Sequence, residues 1–109
     1  MSERIELGLH GAPVSAFEEE VLQVVALLDE GEVVSYGDVA AVAGRPGAPR
    51  VVGRIMSKRG DEVPWWRVVY ADGRLPTAKP PRQVQLLRAE GVLVRRGRVI
   101  EARIGRFAR

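Results

Sequence analysis

The segment SYGDVAAVAGRPGAPRVVGRIMSKR, Ser35–Arg59, decides the fold. Ser35-x-x-Asp38 is a capping signal: the serine side chain can accept from a free N–H of the first helical turn, and the aspartate can accept in return. A short helix then runs through Ala43, and Gly44 supplies a residue able to take the left-handed stop conformation. Arg45-Pro46-Gly47-Ala48 reads as a turn, and Pro49 suits the first position of a further helix, where its missing N–H is not needed. Two short helices joined by a glycine-containing turn make a helix-turn-helix pattern. On a wheel of about 100° per residue, Val51, Val52, Ile55 and Met56 fall on one side of the second helix, while Arg50, Arg54 and Lys58 recur on the other. A solvated helix face usually mixes acids among its cations for i,i+4 pairing, yet no acid occurs between Val39 and Gly60. The row of cations therefore points to a nucleic-acid contact; a plainly solvated basic face is the alternative.

Upstream, Ser15-x-x-Glu18 resembles another capping box, and Phe17, Val21, Val24, Val25 and Leu28 recur at helical spacing, which predicts a scaffold helix ending at Gly31. Residues 1–12 show no sustained period and read as an N-terminal arm. Downstream, Pro64–Leu75 reads as a strand, a turn at Ala71-Asp72-Gly73 and a short return strand, a wing beside the helices. Lys79-Pro80-Pro81 precedes a fourth helix that ends at Glu90-Gly91, with Val84, Leu86 and Leu87 expected to face inward. Val92–Ile100 forms a last hairpin around the basic turn Arg95-Arg96-Gly97-Arg98, which either touches phosphate or is simply solvated. The expected fold is mainly α with small β-hairpins: residues 13–109 form a single winged helix-turn-helix domain.

The chain of 109 residues, 46% of them hydrophobic, has length for one core. With no cysteine and one histidine, His10, it lacks the material for a disulfide, a thiolate nucleophile or a zinc site, so neither metal nor cofactor is expected. No apolar run approaches the roughly 20 residues of a membrane helix. The expectation is a monomeric protein of the cytoplasm and nucleoid with no membrane partner. Charge is unevenly placed: residues 1–30 carry seven acidic residues against Arg4, whereas 31–109 carry sixteen basic against seven acidic, for a total of +3. A basic body with a pI near 9.9 suits a polyanion partner.

Four stretches, VVSYGDVA (Val33–Ala40), GAPRVVGRIM (Gly47–Met56), VPWWRVV (Val63–Val69) and LLRAEGV (Leu86–Val92), occur in the order and spacing of the C-terminal domain of O6-alkylguanine-DNA alkyltransferases, which the chain resembles from about Phe17 to Val94. The third stretch resembles that family's Pro-Cys-His-Arg-Val active-site motif, with Trp65 at the cysteine and Trp66 at the histidine. Transfer of an alkyl group needs a thiolate and a base beside it, and an indole is neither. The spacing also predicts that the glutamate which orients the family's histidine is missing, with Val84 near its place. The chain is thus similar to the alkyltransferase-like proteins, which keep the DNA-binding fold, carry tryptophan for cysteine, and usually read Pro-Trp-His-Arg. Trp66 departs from that pattern.

The resemblance implies non-enzymatic binding and flipping of O6-alkylguanine in double-stranded DNA, with the site flagged for nucleotide excision repair proteins. It assigns Tyr36 to the phosphate of the flipped nucleotide, Arg50 to the vacated stack, and Ala48 and Pro49 to the minor groove; Ser35 and, from the cationic helix face, Arg54 and Lys58 are also expected at the DNA contact. Trp65 lines the lesion pocket and Val68 offers backbone groups to the base edge. Arg74, Lys79 or Arg82 senses the modified purine. Pro64, Trp66 and Arg67 hold the motif in shape, and a period-two strand start would point the Trp66 ring away from Trp65. Plainer readings remain: Tyr36 as a packing residue and Arg50 as a simple phosphate contact. Two other functions are open to this sequence. One is a winged-helix regulator reading undamaged DNA; the other is an enzyme such as a glycosylase using Asp61, Glu62 or Asp72, whose loop settings favour turn chemistry.

Overall fold

A computed structural model describes residues 14–76 and 80–109. Its organising element is a small sheet in the order β2-β1-β5. Strand β1 (Glu32–Ser35) pairs in parallel with β2 (Val68–Val69) and with β5 (Ile104–Gly105). Side chains alternate across a strand, so the sheet divides the apolar side chains in two. Val34 and Val68, opposite each other in register, face a cluster built on α1 (Val14–Ala26), α2 (Tyr36–Val42) and α3 (Pro49–Arg59). Its buried members include Phe17, Val21, Val25, Val39, Val52 and Ile55. Val33 and Val69 face the other way, into a cluster with Leu87 of α4 (Pro80–Ala89) and with Val94 and Val99 of an antiparallel hairpin, β3 (Leu93–Arg95) and β4 (Arg98–Glu101).

The helix-turn-helix forms as the sequence predicts. Ser35 Oγ accepts from the Asp38 N–H at 3.0 Å, and Asp38 Oδ2 accepts from the Ser35 N–H at 2.9 Å. Gly44 takes φ +103 just past the Ala43 cap, and Pro49 opens α3. Val52 and Ile55 are buried while Arg50, Arg54 and Lys58 are exposed. The acidic start of α1 meets the last cation of α3: Arg59 bonds Glu18, Glu19 and Glu62 at 3.1, 2.6 and 2.9 Å.

Other expectations need correction. The first helix ends at Ala26 rather than Gly31, because the chain must turn through Leu28–Gly31 to enter β1; the capping side chain of Ser15 and the arm 1–12 lie outside the described residues. Residues 64–75 are not a hairpin. Trp65–Arg67 form a 3-10 turn, Val68–Val69 pair with β1, and Arg74 bridges to Arg98 of the last hairpin. The short apolar run Val68-Val69 is buried on both faces, and such a strand joins a sheet interior rather than a solvated wing. In α4 the inward residues are Leu87 and Gln83, while Val84 and Leu86 are half-buried. Strand β5 had no expectation; Gly105 forms it with φ +94.

Candidate nucleic-acid interface

A cleft of about 840 Å³ opens between the start of α2, the cationic face of α3 and the 3-10 turn. Tyr36 enters it as the residue that follows the Ser35 cap, and Arg50, Arg54 and Lys58 line it at successive turns of α3. Trp65 forms part of its wall with Gly60, Met56 and Pro76. The Tyr36 ring lies 5.6 Å from that of Tyr70, tilted by 47°. Burial, with Tyr70 beside it, pushes the Tyr36 hydroxyl up to about 12, so it stays a neutral donor at physiological pH.

The motif Val63–Val69 is fixed from behind by one carboxylate. Glu90, at the end of α4, accepts from Trp66 Nε1 at 2.8 Å, from Arg67 Nη2 at 2.7 Å and from the Gly31 N–H at 2.8 Å. Arg67 also donates through Nη1 to the Leu28 carbonyl at 2.7 Å. Burial opposes the charge on Glu90, but the hydrogen bonds from Arg67, Gly31 and Trp66 outweigh it and hold the carboxyl below its ordinary range. The expectation of a missing carboxylate near Val84 is therefore wrong. Glu90 bonds the residue at the histidine position, and Val84 packs against the second cluster. The Trp66 ring does not point away from Trp65 either: the rings meet edge to face at 6.0 Å and 86°. A 3-10 turn advances side chains by about 120° per residue, where a strand would reverse them.

Several expected site residues lie elsewhere. Ser35 is 1% exposed and its hydroxyl is committed to the cap, so it offers no surface to a partner. Val68 is wholly buried, its carbonyl accepts from Gln83 Nε2 at 3.2 Å, and it does not line the cleft. Arg74 sits behind Tyr70, its guanidinium 5.1 Å from the ring centroid and paired with Asp72 at 2.9 Å. Arg82 is exposed near Gln85, and Lys79 lies outside the described residues. Ala48 is half-buried against the first cluster, whereas Pro49 lines the cleft. Of the three acids weighed for catalysis, Asp61 lines the cleft, Glu62 is paired with Arg59 and Asp72 with Arg74.

Sequence reasoning missed Tyr70 and Gln83. Gln83 is 2% exposed, lines the cleft floor, and donates to the Trp66 and Val68 carbonyls, tying α4 to the motif. Its only signal was its spacing, four residues before Leu87 and so on the same face of the helix. For Tyr70 the signal was its place at the end of the Val68-Val69 run.

A capped helix-turn-helix whose second helix turns three cations into a cleft walled by aromatic rings defines a nucleic-acid-binding class of domain. A family model described as 6-O-methylguanine DNA methyltransferase, DNA binding domain, matches residues 16–92, and the chain belongs to that family. It is 45% identical over 83 residues to a DNA base-flipping protein of Escherichia coli, covering 72% of this chain and 64% of that protein. It is 36% identical over 94 residues to a methylated-DNA–protein-cysteine methyltransferase of Salmonella typhimurium, covering 83% of this chain and 53% of that one. The chain thus spans somewhat over half the length of these relatives. Among solved structures it is similar to S. pombe Atl1 in complex with damaged DNA containing O6-carboxymethylguanine, with a TM-score of 0.68, 31% identity, and coverage of 74% and 81% of the two chains. The O6-methylguanine methyltransferase of Mycobacterium tuberculosis gives 0.62 and 33%, covering 68% and 47%. With no cysteine in the sequence, this chain has no thiolate to accept an alkyl group.

Proposed function

We propose that this protein recognises O6-alkylguanine in double-stranded DNA by flipping the base into the Tyr36–Trp65 cleft, does not repair it, and flags the site for nucleotide excision repair. The observation that carries the reading is the cleft itself, which gathers Tyr36, Arg50 and Trp65 beside the cations Arg54 and Lys58. In this reading α3 lies against the minor groove with Pro49 at its wall. Arg54 and Lys58 meet phosphates, Arg50 fills the vacated stack, and the neutral Tyr36 hydroxyl donates to the phosphate of the extruded nucleotide. Flipping costs a few kcal/mol of pairing and stacking, least for a damaged pair. An aromatic wall returns about 1–3 kcal/mol per stacked base, and the alkyl group prefers an apolar surface to water. Replacing thiol by indole turns a reaction site into a binding site.

The test titrates duplexes carrying guanine or O6-methylguanine at one position, at stated salt because phosphate contacts make affinity salt-dependent. Wild type should prefer the modified duplex, Trp65→Ala should lose most of that preference, and the alkyl group should remain on the DNA. Equal wild-type affinity for the two duplexes would favour a reader of undamaged DNA instead. For the repair link, addition of the protein to a reconstituted excision-repair reaction should raise incision at the lesion; no change would sink that part.

A further inference from the structure

The family match ends at residue 92, yet the chain continues into a basic hairpin. Residues 93–109 hold six arginines against the single acid Glu101. Two of the six, Arg106 and Arg109, are engaged by Asp38 and Glu101. The three at the hairpin tip are differently placed. Arg95 and Arg98 are directly opposed across β3 and β4, and both are exposed. Like charges at opposed positions destabilise a strand pair. Arg96, the first turn residue, has φ 51, followed by Gly97 at φ 73. A two-residue turn with both φ values positive favours Asn-Gly, and an arginine in the left-handed region is strained there. Among the described residues no carboxylate lies within 4.0 Å of Arg95 or Arg96, and Asp72 approaches Arg98 only to 3.8 Å. The three arginines and Ile100 surround a hollow of about 520 Å³.

Two local choices that weaken a hairpin, made side by side and leaving the same charge uncompensated, are accounted for by an anion that binds there. The hairpin is also joined to the cleft. Arg98 bridges Arg74, whose guanidinium lies over Tyr70, and Tyr70 lines the cleft. We propose that the C-terminal hairpin is a second DNA-binding surface, in which Arg95, Arg96 and Arg98 hold backbone phosphates flanking the nucleotide in the cleft. The surface reads no base. It adds sequence-independent, salt-dependent affinity and lengthens the duplex the protein covers. This rests on the cleft being a DNA site, but it is tested separately.

The test compares wild type with Arg95→Gln/Arg96→Gly on a duplex of about 20 base pairs and on one cut to a few pairs around the lesion. Arg96→Gly relieves the positive φ, so the variant should melt no lower than wild type and an affinity loss cannot be ascribed to unfolding. Each phosphate contact contributes about 0.9 to the slope of log affinity against log salt. Loss of two contacts should flatten that slope by about 1.8 and weaken long-duplex binding about tenfold or more, equally for guanine and O6-methylguanine. On the short duplex the two proteins should bind alike. An unchanged slope on the long duplex, or a loss confined to the modified one, would overturn the proposal. Failure of the lesion reading shows up differently, as equal wild-type affinity for the two duplexes whatever the hairpin carries.

Discussion

Trp65 and Trp66 are neighbours in different settings: Trp65 lines the cleft, and Trp66 packs against the second cluster and bonds Glu90. Trp66 gives its indole N–H to Glu90, and its ring meets that of Trp65 edge to face; both contacts hold it in place. Trp66→Phe keeps an aromatic ring there but removes a hydrogen bond to a carboxylate. We expect a loss of about 1–2 kcal/mol in urea unfolding, smaller than for Trp66→Ala, which also opens a cavity. An equal loss for the two variants would show that the hydrogen bond contributes nothing. Arg50→Ala should lower affinity for modified and unmodified duplexes by similar factors, as measured by titration; unchanged binding by the folded variant would remove Arg50 from the interface. The place of Trp65 at the cleft was legible from the motif. The edge-to-face meeting of the two rings was not, because the 3-10 turn that aims them has no local signature stronger than Pro64.

At the scale of elements, the helix-turn-helix was the most legible part of the chain. Its signals are short-range: the Ser35–Asp38 reciprocal cap, Gly44 after the helix, Pro49 at the next start and the apolar spacing of α3. Ser35→Ala removes the cap acceptor at a buried position, and should cost about 1–2 kcal/mol by chemical denaturation. Asp38→Ala should cost more, since it also releases the Arg106 guanidinium, bonded at 2.8 and 2.9 Å. Equal losses would mean that the Arg106 pair contributes nothing. After Trp65, β-branched residues followed by Asp-Gly favour a hairpin locally. The parallel pairing of Val68 with Val34 joins residues too far apart in sequence for any local pattern to show it.

The whole molecule is held by contacts that close long loops. Glu90 ties α4 to the turn before β1 and to the Trp65–Arg67 motif. Its carboxyl is held below the ordinary value of 4.5, so its charge favours the folded state above about pH 4.5, and that contribution disappears as pH falls through the lowered value. The melting temperature of wild type should therefore fall more steeply on acidification than that of Glu90→Gln; parallel curves would contradict this. Gly105 closes the other long loop. Its φ of +94 disfavours any side chain, and an added Cβ would run into the Val33 carbonyl. Gly105→Ala should break the β1–β5 pairing and cost more than about 2 kcal/mol, seen as a lowered urea midpoint and faster amide exchange at Arg106, whose N–H donates to the Val33 carbonyl. Retained protection would show that β5 is dispensable.

The sequence by itself determined the helices flanking the turn, the cationic face of α3 and the loss of thiolate chemistry, because caps, periodicity and residue identity act within a few positions. Only the tertiary structure decided that β1 sits between two parallel partners, that Glu90 holds Trp66 and Arg67, that Ser35 and Val68 are interior, and that Tyr70 shares the cleft with Tyr36. Each of these joins residues more than twenty positions apart or depends on such a joining, and which distant groups meet is settled by packing both faces of the sheet together.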